Sequence, residues 1–402
     1  MGRAGRFTLL GALYFAQGLP FGFFGRYMPI ILRSAGWSLT KIGVATLLAV
    51  PWALKFLWAP FVDKHYSQKL GRRRTWILAM QVAGVVALGL ISSIPGTEEI
   101  HVLLASMLVL NFIAATQDIA TDGLAVDLLP PEERGFANGL QVGGYRLGMI
   151  VGGGALLILH HDLGHRVVFA TMCILTALTS IPVLFSKEPE PRESVPEAVA
   201  KVHWLKLPGA WRLIALVVFY KFGEEFGKSM ITTFLKDGGL GEKQIGSMIG
   251  VAGSVAGLVG ALVGGALVGK LGRKQSLVVF GIGQVVTIAG YMYLALVHPS
   301  MIELYGWTSV EHFASGCATV ALFTSMMDWC RPEHGGADYS VQASAQVIAI
   351  GVAPVIAGMS ADALGYAGHF ALSVVLCAAA VVAVLKLFPR SPFPPRSTTT
   401  AA

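Results

Sequence analysis

Charged residues are scarce in this chain. Lys, Arg, Asp and Glu make up 13% of its 402 residues, whereas soluble proteins carry roughly 25%. Hydrophobic residues account for 54%, and long uncharged runs recur along the whole sequence. Runs of this kind are typical of helices that cross a bilayer. The scarcity of charge therefore argues against an ordinary soluble protein and predicts an all-α integral membrane protein with many spans.

Motifs for metal binding and for catalysis are also lacking. The four cysteines show neither metal-ligand spacing nor an extracellular disulfide framework. The sequence contains no Ser, His and Asp set of a hydrolase, no His-Glu-x-x-His and no Gly-x-Ser-x-Gly. We therefore expect neither an enzyme nor a metal site, and no bound cofactor.

Twelve apolar segments are long enough to cross a bilayer as helices, six on each side of a polar segment rich in Pro, Glu and Lys. The predicted organisation is an N-terminal six-helix half at 1–186, a cytoplasmic linker at 187–208, a C-terminal six-helix half at 209–390 and a cytoplasmic tail at 391–402. The predicted spans are 8–32, 42–62, 75–94, 102–129, 136–159, 166–185, 210–234, 244–269, 275–297, 301–329, 339–362 and 365–388.

Basic residues are distributed unevenly over the loops between these spans. If the N-terminus is cytoplasmic, the cytoplasmic loops and both tails carry most of the Lys and Arg. The positive-inside rule therefore places both termini in the cytoplasm. The net charge of +7 follows from this topology and from contact with anionic lipids. We expect a small-molecule substrate and membrane lipids as partners, no nucleic acid, and a monomer.

Two carboxylates lie inside the predicted span 102–129. Asp118 and Asp122 are four residues apart, so they share one face of a helix. Carboxylates within a bilayer are costly and are kept where they face water, a counter-charge or a substrate path. Two of them at low dielectric disfavour double ionisation, so one holds a proton more tightly. We interpret the pair as the candidate proton-coupling site; the alternative is a structural role in tying neighbouring helices.

Further charges lie in two other spans. Lys55 stands in an apolar run, where it either pairs with an Asp of the fourth span or extends towards the cytoplasmic interface. As a paired charge, it is a candidate for substrate binding that switches partner between the proton-bound and the substrate-bound state. In the seventh span, Lys221 and Glu224 stand one turn from Glu225 and Lys228. Lys221 and Glu224 are candidates for substrate binding, and intrahelical ion pairs are the alternative.

Arg146 in the fifth span is a candidate for clamping a substrate carboxylate or phosphate with paired hydrogen bonds. It could equally pair with Asp118 or Asp122. Other polar side chains are weaker candidates for the lining of a substrate path, because interhelical hydrogen bonds explain them equally well. These are Tyr14, Gln17, Arg26, Asn111, Gln117, Gln141, Gln342 and Gln346.

Two short basic loops that contain glycine have similar sequences and lie about half a chain apart, which suggests an internal repeat. The first contains Asp63-Lys64 and then Gly71-Arg72-Arg73-Arg74; the second reads Gly269-Lys270-Leu271-Gly272-Arg273-Lys274. Two six-helix halves related by an axis along the membrane normal are the architecture of major facilitator transporters.

The first loop resembles the signature of that superfamily, Gly-x-x-x-Asp-Arg/Lys-x-Gly-Arg-Arg, although it lacks the first Gly and has extra residues before Gly71. The resemblance implies a gating cluster of Asp63, Arg73 and Asp127 that locks the halves in an outward-open state. The alternative is positive-inside charge with no latch.

Three motifs resemble one family within the superfamily. They read LYFAQGLP at 13–20, PWALKFLWAP at 51–60 and ATQDIATDG at 115–123. In this order they resemble the AmpG-type muropeptide permease and acetyl-CoA transporter family. The resemblance implies a carrier of bulky, usually anionic organic solutes in a bacterial cytoplasmic membrane, driven by a proton gradient. The alternatives are an uncoupled facilitator or exporter of amphipathic or drug-like molecules and, in another class, a non-transporting membrane sensor.

Overall fold

The structure is a computed structural model. It describes residues 2–24, 28, 32–33, 36–37, 45–93, 100–186, 203–297, 299–331 and 334–389. Arg26, most of the predicted linker and the predicted tail at 391–402 lie outside these residues. The described part of the chain is helical and contains no β-strand.

The helices of the N-terminal part follow the predicted spans. They are α1 Arg3–Gly22, α2 Val50–Leu54, α3 Ala59–Lys64, α4 Arg72–Ser93, α5 Ile100–Leu128, α6 Pro131–Ile150 and α7 Leu156–Phe185. A 3-10 turn at Lys55–Leu57 separates α2 from α3, and a π-helical segment at Val151–Ala155 joins α6 to α7.

The C-terminal part repeats this pattern. Its helices are α8 Ala210–Lys228, α9 Ile231–Asp237, α10 Glu242–Ile245, α11 Ser254–Leu271, α12 Arg273–Leu294, α13 Met301–Asp328 and α14 Gly335–Leu387. A π-helical segment at Gly246–Gly253 precedes α11.

A glycine interrupts the helical backbone at two points where consecutive predicted spans form one continuous helical stretch. Gly365 has φ 69° inside α14, and Gly164 has φ 80° inside α7. Side chains rarely adopt a positive φ, so glycine supplies the break at both points. The break at Gly365 coincides with the first residue of the predicted span 365–388. Within the described residues, each of the twelve predicted spans thus corresponds to a helix or to consecutive helical segments.

Six helical stretches in the described part are long and apolar enough to cross a membrane by length and composition. Apolar side chains also face outward. On α4, Val82, Val86 and Leu90 recur every four residues and are 54–65% exposed. Such a stripe is unfavourable in water and fits contact with lipid tails. Helices that fall short of this apolarity include α8 and α13, which carry charged residues in their interiors.

Contacts between Cα atoms group the chain into two units. Unit 1 comprises Met1–Leu128, Gly143–Val195 and Cys330–Ser344; unit 2 comprises Leu129–Val142, Pro196–Trp329 and Ala345–Ala402. The start of α6 therefore groups with unit 2 and the start of α14 with unit 1. The predicted half boundaries at 186 and 209 stay predictions.

Small residues let helices approach closely within each unit. In unit 1, a Cβ at Gly148 of α6 would lie 2.8 Å from the Cα of Gly18 on α1. In unit 2, a Cβ at Gly316 of α13 would lie 2.8 Å from the backbone nitrogen of Ala261 on α11. Close backbone packing of this kind is how membrane helices associate where lipid supplies no hydrophobic driving force.

Candidate functional site

The predicted coupling residues meet in unit 1, in a group that we call the Asp–Lys cluster: Tyr14, Lys55, Asp118 and Asp122. The Lys55 ammonium forms an ion pair with Oδ2 of Asp118 and lies 3.3 Å from Oδ2 of Asp122. The Tyr14 hydroxyl donates a hydrogen bond of 2.9 Å to Oδ1 of Asp122. Each of the four residues is at most 8% exposed. Two carboxylates therefore share one ammonium in a nearly water-free site.

Local sequence explains how Lys55 comes to face α5. Pro51 and Pro60 lie in the first turns of α2 and α3, where proline is tolerated, whereas a helix interior would lose a backbone hydrogen bond. The chain between them leaves the α-helix, and Lys55 opens the 3-10 turn there. With only 2% of its surface exposed, Lys55 does not extend to the interface.

Two tryptophans hold this segment against α5. Trp52 donates a hydrogen bond of 3.0 Å from its indole nitrogen to Oδ1 of Asn111, and Trp58 donates one of 3.1 Å to the Thr116 hydroxyl. The donors flank Lys55 by three residues on either side, so they orient its ammonium towards α5. Sequence reasoning missed this positioning role, although the Trp-x5-Trp spacing around Lys55 signals it.

The predicted lining residues occupy different surroundings. Gln17 and Gln117 line an otherwise mainly apolar cavity between α1, α4, α5 and α7, with about 550 Å³ of empty space including space open to solvent. The Gln17 amide has no hydrogen-bond partner among the described residues. Arg146 is half-buried in α6. Asp118 and Asp122 accept hydrogen bonds from Lys55 and Tyr14, and the role of Arg146 stays a prediction.

A second charged group, which we call the Lys–Glu cluster, lies in unit 2: Lys221, Glu224, Glu225 and Lys228. Lys221 Nζ is 2.9 Å from Oε2 of Glu224 and 3.6 Å from Oε1 of Glu225. Lys228 Nζ is 3.0 Å from Oε1 of Glu225. Ser315 donates a hydrogen bond of 2.5 Å to Oε1 of Glu224. The charges neutralise one another along one helix face, and the assignment of Lys221 and Glu224 to substrate stays a prediction.

The predicted gating residues lie in contact in unit 1. Arg73 pairs through Nη1 with Oδ1 of Asp63, and through Nε with Oδ2 of Asp127 at 2.7 Å. The backbone N–H of Ala337, in the first turn of α14, donates a hydrogen bond of 2.8 Å to Oδ2 of Asp63. Gly123 leaves room for the guanidinium, because a Cβ there would lie 2.8 Å from Arg73 Nε.

Unit 2 contains an arrangement with the signs reversed. Asp328 at the end of α13 accepts from Arg134 Nη1 at 2.5 Å and from Arg273 Nε at 2.6 Å. Arg331 lies three residues after Asp328 along the chain. It forms an ion pair with Asp338, at 2.7 Å. Arg134 lies 194 residues before Asp328, so sequence proximity gave no indication of that contact.

Comparison with known proteins places this chain in a family. The Major Facilitator Superfamily model matches residues 10–310. The chain is 30% identical over 390 residues to the anhydromuropeptide permease of Escherichia coli K12, an alignment that covers 95% of this chain and 79% of the permease.

Solved structures agree on the fold. The human organic anion transporter MFSD10 superposes with a TM-score of 0.74 at 14% identity, covering 96% of this chain and 100% of that one. The fucose:proton symporter of Escherichia coli superposes with a TM-score of 0.73 at 12% identity, covering 96% and 98%. The fold is thus that of major facilitator transporters, with twelve membrane helices in two six-helix halves. Proteins of this superfamily are transporters rather than enzymes. This chain belongs to the Major Facilitator Superfamily and, within it, to the AmpG-type muropeptide permease family.

Proposed function

We propose that this protein is a proton-coupled secondary transporter that works by alternating access. Its solute is a bulky polar or anionic organic compound, such as a muropeptide or an acetyl-CoA-like compound. The observation that carries the proposal is the charge count of the Asp–Lys cluster, where two buried carboxylates share one ammonium. An uncompensated buried carboxylate is costly, so this group favours holding one proton.

The geometry assigns different tasks to the two carboxylates. Asp118 forms the direct ion pair with Lys55. Asp122 is the more deeply buried carboxylate and is farther from Lys55. We therefore place the exchangeable proton on Asp122, with Tyr14 orienting its carboxyl group. The proton binds while the cluster is open to one side of the membrane and leaves once access has changed to the other.

The solute class rests on the family and on the cationic side chains. The Escherichia coli relative is named for anhydromuropeptides, which supports a large polar solute. Arg146 and Lys221 are the side chains that we expect to contact its anionic groups, and Gln17 and Gln117 its neutral polar groups. Paired hydrogen bonds from a guanidinium suit carboxylates and phosphates.

We further propose that Asp63, Arg73 and Asp127 form a gate. Their contacts tie the end of α3 and the start of α4 to the end of α5 and the start of α14, so this gate must open during a transport cycle. The protein resides in a bacterial cytoplasmic membrane with both termini in the cytoplasm. It acts as a monomer among lipids, and the proton gradient takes the place of a cofactor.

Proton movement in liposomes tests the proposal. Purified protein is reconstituted, anhydromuropeptide or acetyl-CoA is added outside, and proton entry is followed with an internal pH dye. We expect one of the two compounds to trigger proton entry in the wild type and in the control Asp362→Asn, which removes an exposed carboxylate of α14. Asp122→Asn is expected to lower the number of protons that enter with each solute molecule.

Two other outcomes contradict the proposal in different ways. Entry of radiolabelled solute without proton movement would identify an uncoupled carrier. Binding of the solute without entry, seen as thermal stabilisation alone, would identify a sensor. An unchanged number of protons per solute in Asp122→Asn would remove Asp122 from coupling.

A further inference from the structure

One more carboxylate lies deep in unit 2, and neither the sequence motifs nor the proposed coupling site includes it. Glu311 stands in the middle of α13 and is 3% exposed. A carboxylate at such a position in a membrane helix requires a counter-charge or a proton.

The lysines nearest to Glu311 already have partners. Lys228 is within electrostatic range of Glu311, but it lies 3.0 Å from Glu225, and Lys221 lies 2.9 Å from Glu224. Among the described residues, the Lys–Glu cluster together with Glu311 contains three carboxylates and two ammonium groups. One negative charge is therefore left without a lysine.

The immediate neighbour of Glu311 is an imidazole. Nδ1 of His312 lies 2.7 Å from Oε2 of Glu311 and 3.0 Å from the carbonyl oxygen of Thr308. Because a carbonyl only accepts, Nδ1 must carry the hydrogen that is donated to Thr308. Oε2 of Glu311 is buried and receives no hydrogen bond within the described part of the chain. A buried Oε2 without a hydrogen bond is unfavourable for an ionised carboxylate, and protonation removes the charge that burial penalises.

Other titratable groups approach from two further helices. Tyr291 on α12 and Cys377 on α14 lie within electrostatic range of Glu311. Tyr291 shares a hydrogen bond of 2.9 Å with the hydroxyl of Thr308. On the π-helical segment Gly246–Gly253, Gly253 lies against the imidazole, since a Cβ there would lie 2.8 Å from the ring of His312. Tyrosine and cysteine are neutral when protonated, so neither supplies the missing positive charge.

We propose that Glu311 is a second proton-binding site of this transporter, in unit 2, with His312 as the group that positions it. The carboxyl group holds the proton in one state of the cycle and loses it to water in another, as Glu311-COOH becomes Glu311-COO⁻ and H⁺. This inference rests on the proposed proton coupling for its role in transport, but the existence of the site does not depend on it.

Infrared spectroscopy tests the site without any solute. Difference spectra between acid and alkaline pH report the C=O band of each carboxyl group that gains a proton. They are recorded on the protein in liposomes for the wild type, Glu311→Gln and Asp122→Asn. We expect Glu311→Gln to lose a band that Asp122→Asn retains, and His312→Asn to shift that band. A Glu311→Gln spectrum with every wild-type band would overturn the proposal.

The unfolding temperatures of two variants show whether the loss of the infrared band could come from misfolding. Gln resembles a protonated Glu in shape and charge, so Glu311→Gln should unfold at nearly the wild-type temperature. The matched control Glu224→Gln removes a carboxylate that is engaged with Lys221 and Ser315, and it should unfold at a clearly lower temperature. Equal losses in both variants would show that Glu311 is ionised in the folded protein and would overturn the proposal.

The highest solute gradient that the transporter can sustain then tests whether Glu311 takes part in proton coupling. With the membrane potential held at zero, one proton per solute sustains about a tenfold gradient of anhydromuropeptide for each pH unit, and two protons about a hundredfold. We expect the wild type near the higher limit and Glu311→Gln near the lower one. A Glu311 band together with an unchanged limit would refute its role in coupling. A wild type that moves no protons with the solute would refute the proposed function, while the band would still establish the site.

Discussion

The Asp–Lys cluster and the Lys–Glu cluster place similar residue types one helical turn apart, yet they differ in charge balance. In the Asp–Lys cluster, contacts join residues 63 to 108 positions apart, and two carboxylates share one ammonium. In the Lys–Glu cluster, all four residues stand on α8, and two carboxylates match two ammonium groups. A balanced buried group is neutral without taking up a proton, whereas an unbalanced one is not. The comparison teaches that the local count of charges, more than burial itself, marks a proton-binding site.

The largest effect on transport is expected when one carboxylate of the Asp–Lys cluster is replaced by a neutral group. Asp122→Asn removes the carboxyl group that holds the proton, so we expect loss of the gradient that one proton sustains, about tenfold for each pH unit. Initial and steady-state uptake of labelled anhydromuropeptide at an imposed pH gradient measures the effect. The comparison variant is Glu225→Gln, in the balanced cluster, for which we expect proton coupling to persist. Equal loss in both variants would contradict the contrast between the clusters.

Removal of the single ammonium should be the most damaging change to stability. Lys55→Met leaves two buried carboxylates without a cation, and breaking a buried pair in this way typically costs about 3–5 kcal/mol. We expect a marked drop in the unfolding temperature of the detergent-solubilised protein.

The double variant Lys55→Met with Asp118→Asn removes both members of the ion pair. It should recover much of that loss, because no unpaired charge remains beside Asp122. Failure of Asp118→Asn to rescue would mean that Lys55 acts through some other contact.

The two loop clusters offer a second contrast. Arg73 is one cation between two carboxylates, while Asp328 is one carboxylate between two arginines. Arg73→Ala leaves Asp63 and Asp127 without their shared cation and should lower the free energy of unfolding by about 3 kcal/mol. Arg273→Ala leaves Asp328 paired with Arg134 and should cost about 1 kcal/mol or less, since this pair is partly exposed.

Thiol labelling adds a readout of the proposed gate. Cys330 is 4% exposed and begins the part of unit 1 that continues into α14. In a variant without the other cysteines, we expect a water-soluble maleimide to react faster with Cys330 after Arg73→Ala. An unchanged labelling rate would argue that Arg73 does not control opening.

The smallest expected effect concerns packing. Gly148→Ala places a methyl group 2.8 Å from the Cα of Gly18, and overpacking of this kind typically costs about 1–3 kcal/mol. Gly306→Ala is the matched control, because a Cβ there meets nothing within 4 Å. Thermal unfolding of both variants checks the prediction, and equal stability would show that α1 and α6 separate at little cost.

Part of the candidate site followed from the sequence because its physics is local. The positions of the helices follow from the length of the apolar runs. The ion pairs of α8 follow from their spacing of three and four residues. The expectation that Lys55 pairs with an Asp of the fourth span was correct, since a buried ammonium requires a counter-charge and few are present. Glu311 gave the same signal as Asp118, a carboxylate inside an apolar span, but no accompanying motif drew attention to it.

The sequence by itself determined that this is a many-spanned helical membrane protein of a particular transporter family, because apolar length and short motifs are properties of the chain alone. Tertiary structure alone decided the choice of partners. It brought Tyr14 to Asp122, the N–H of Ala337 to Asp63, and Arg134 to Asp328. The cost of a bare charge in a bilayer requires every buried ion to find a partner. Which partner it finds depends on helix packing between residues that lie 108, 274 and 194 positions apart, and no local pattern records that packing.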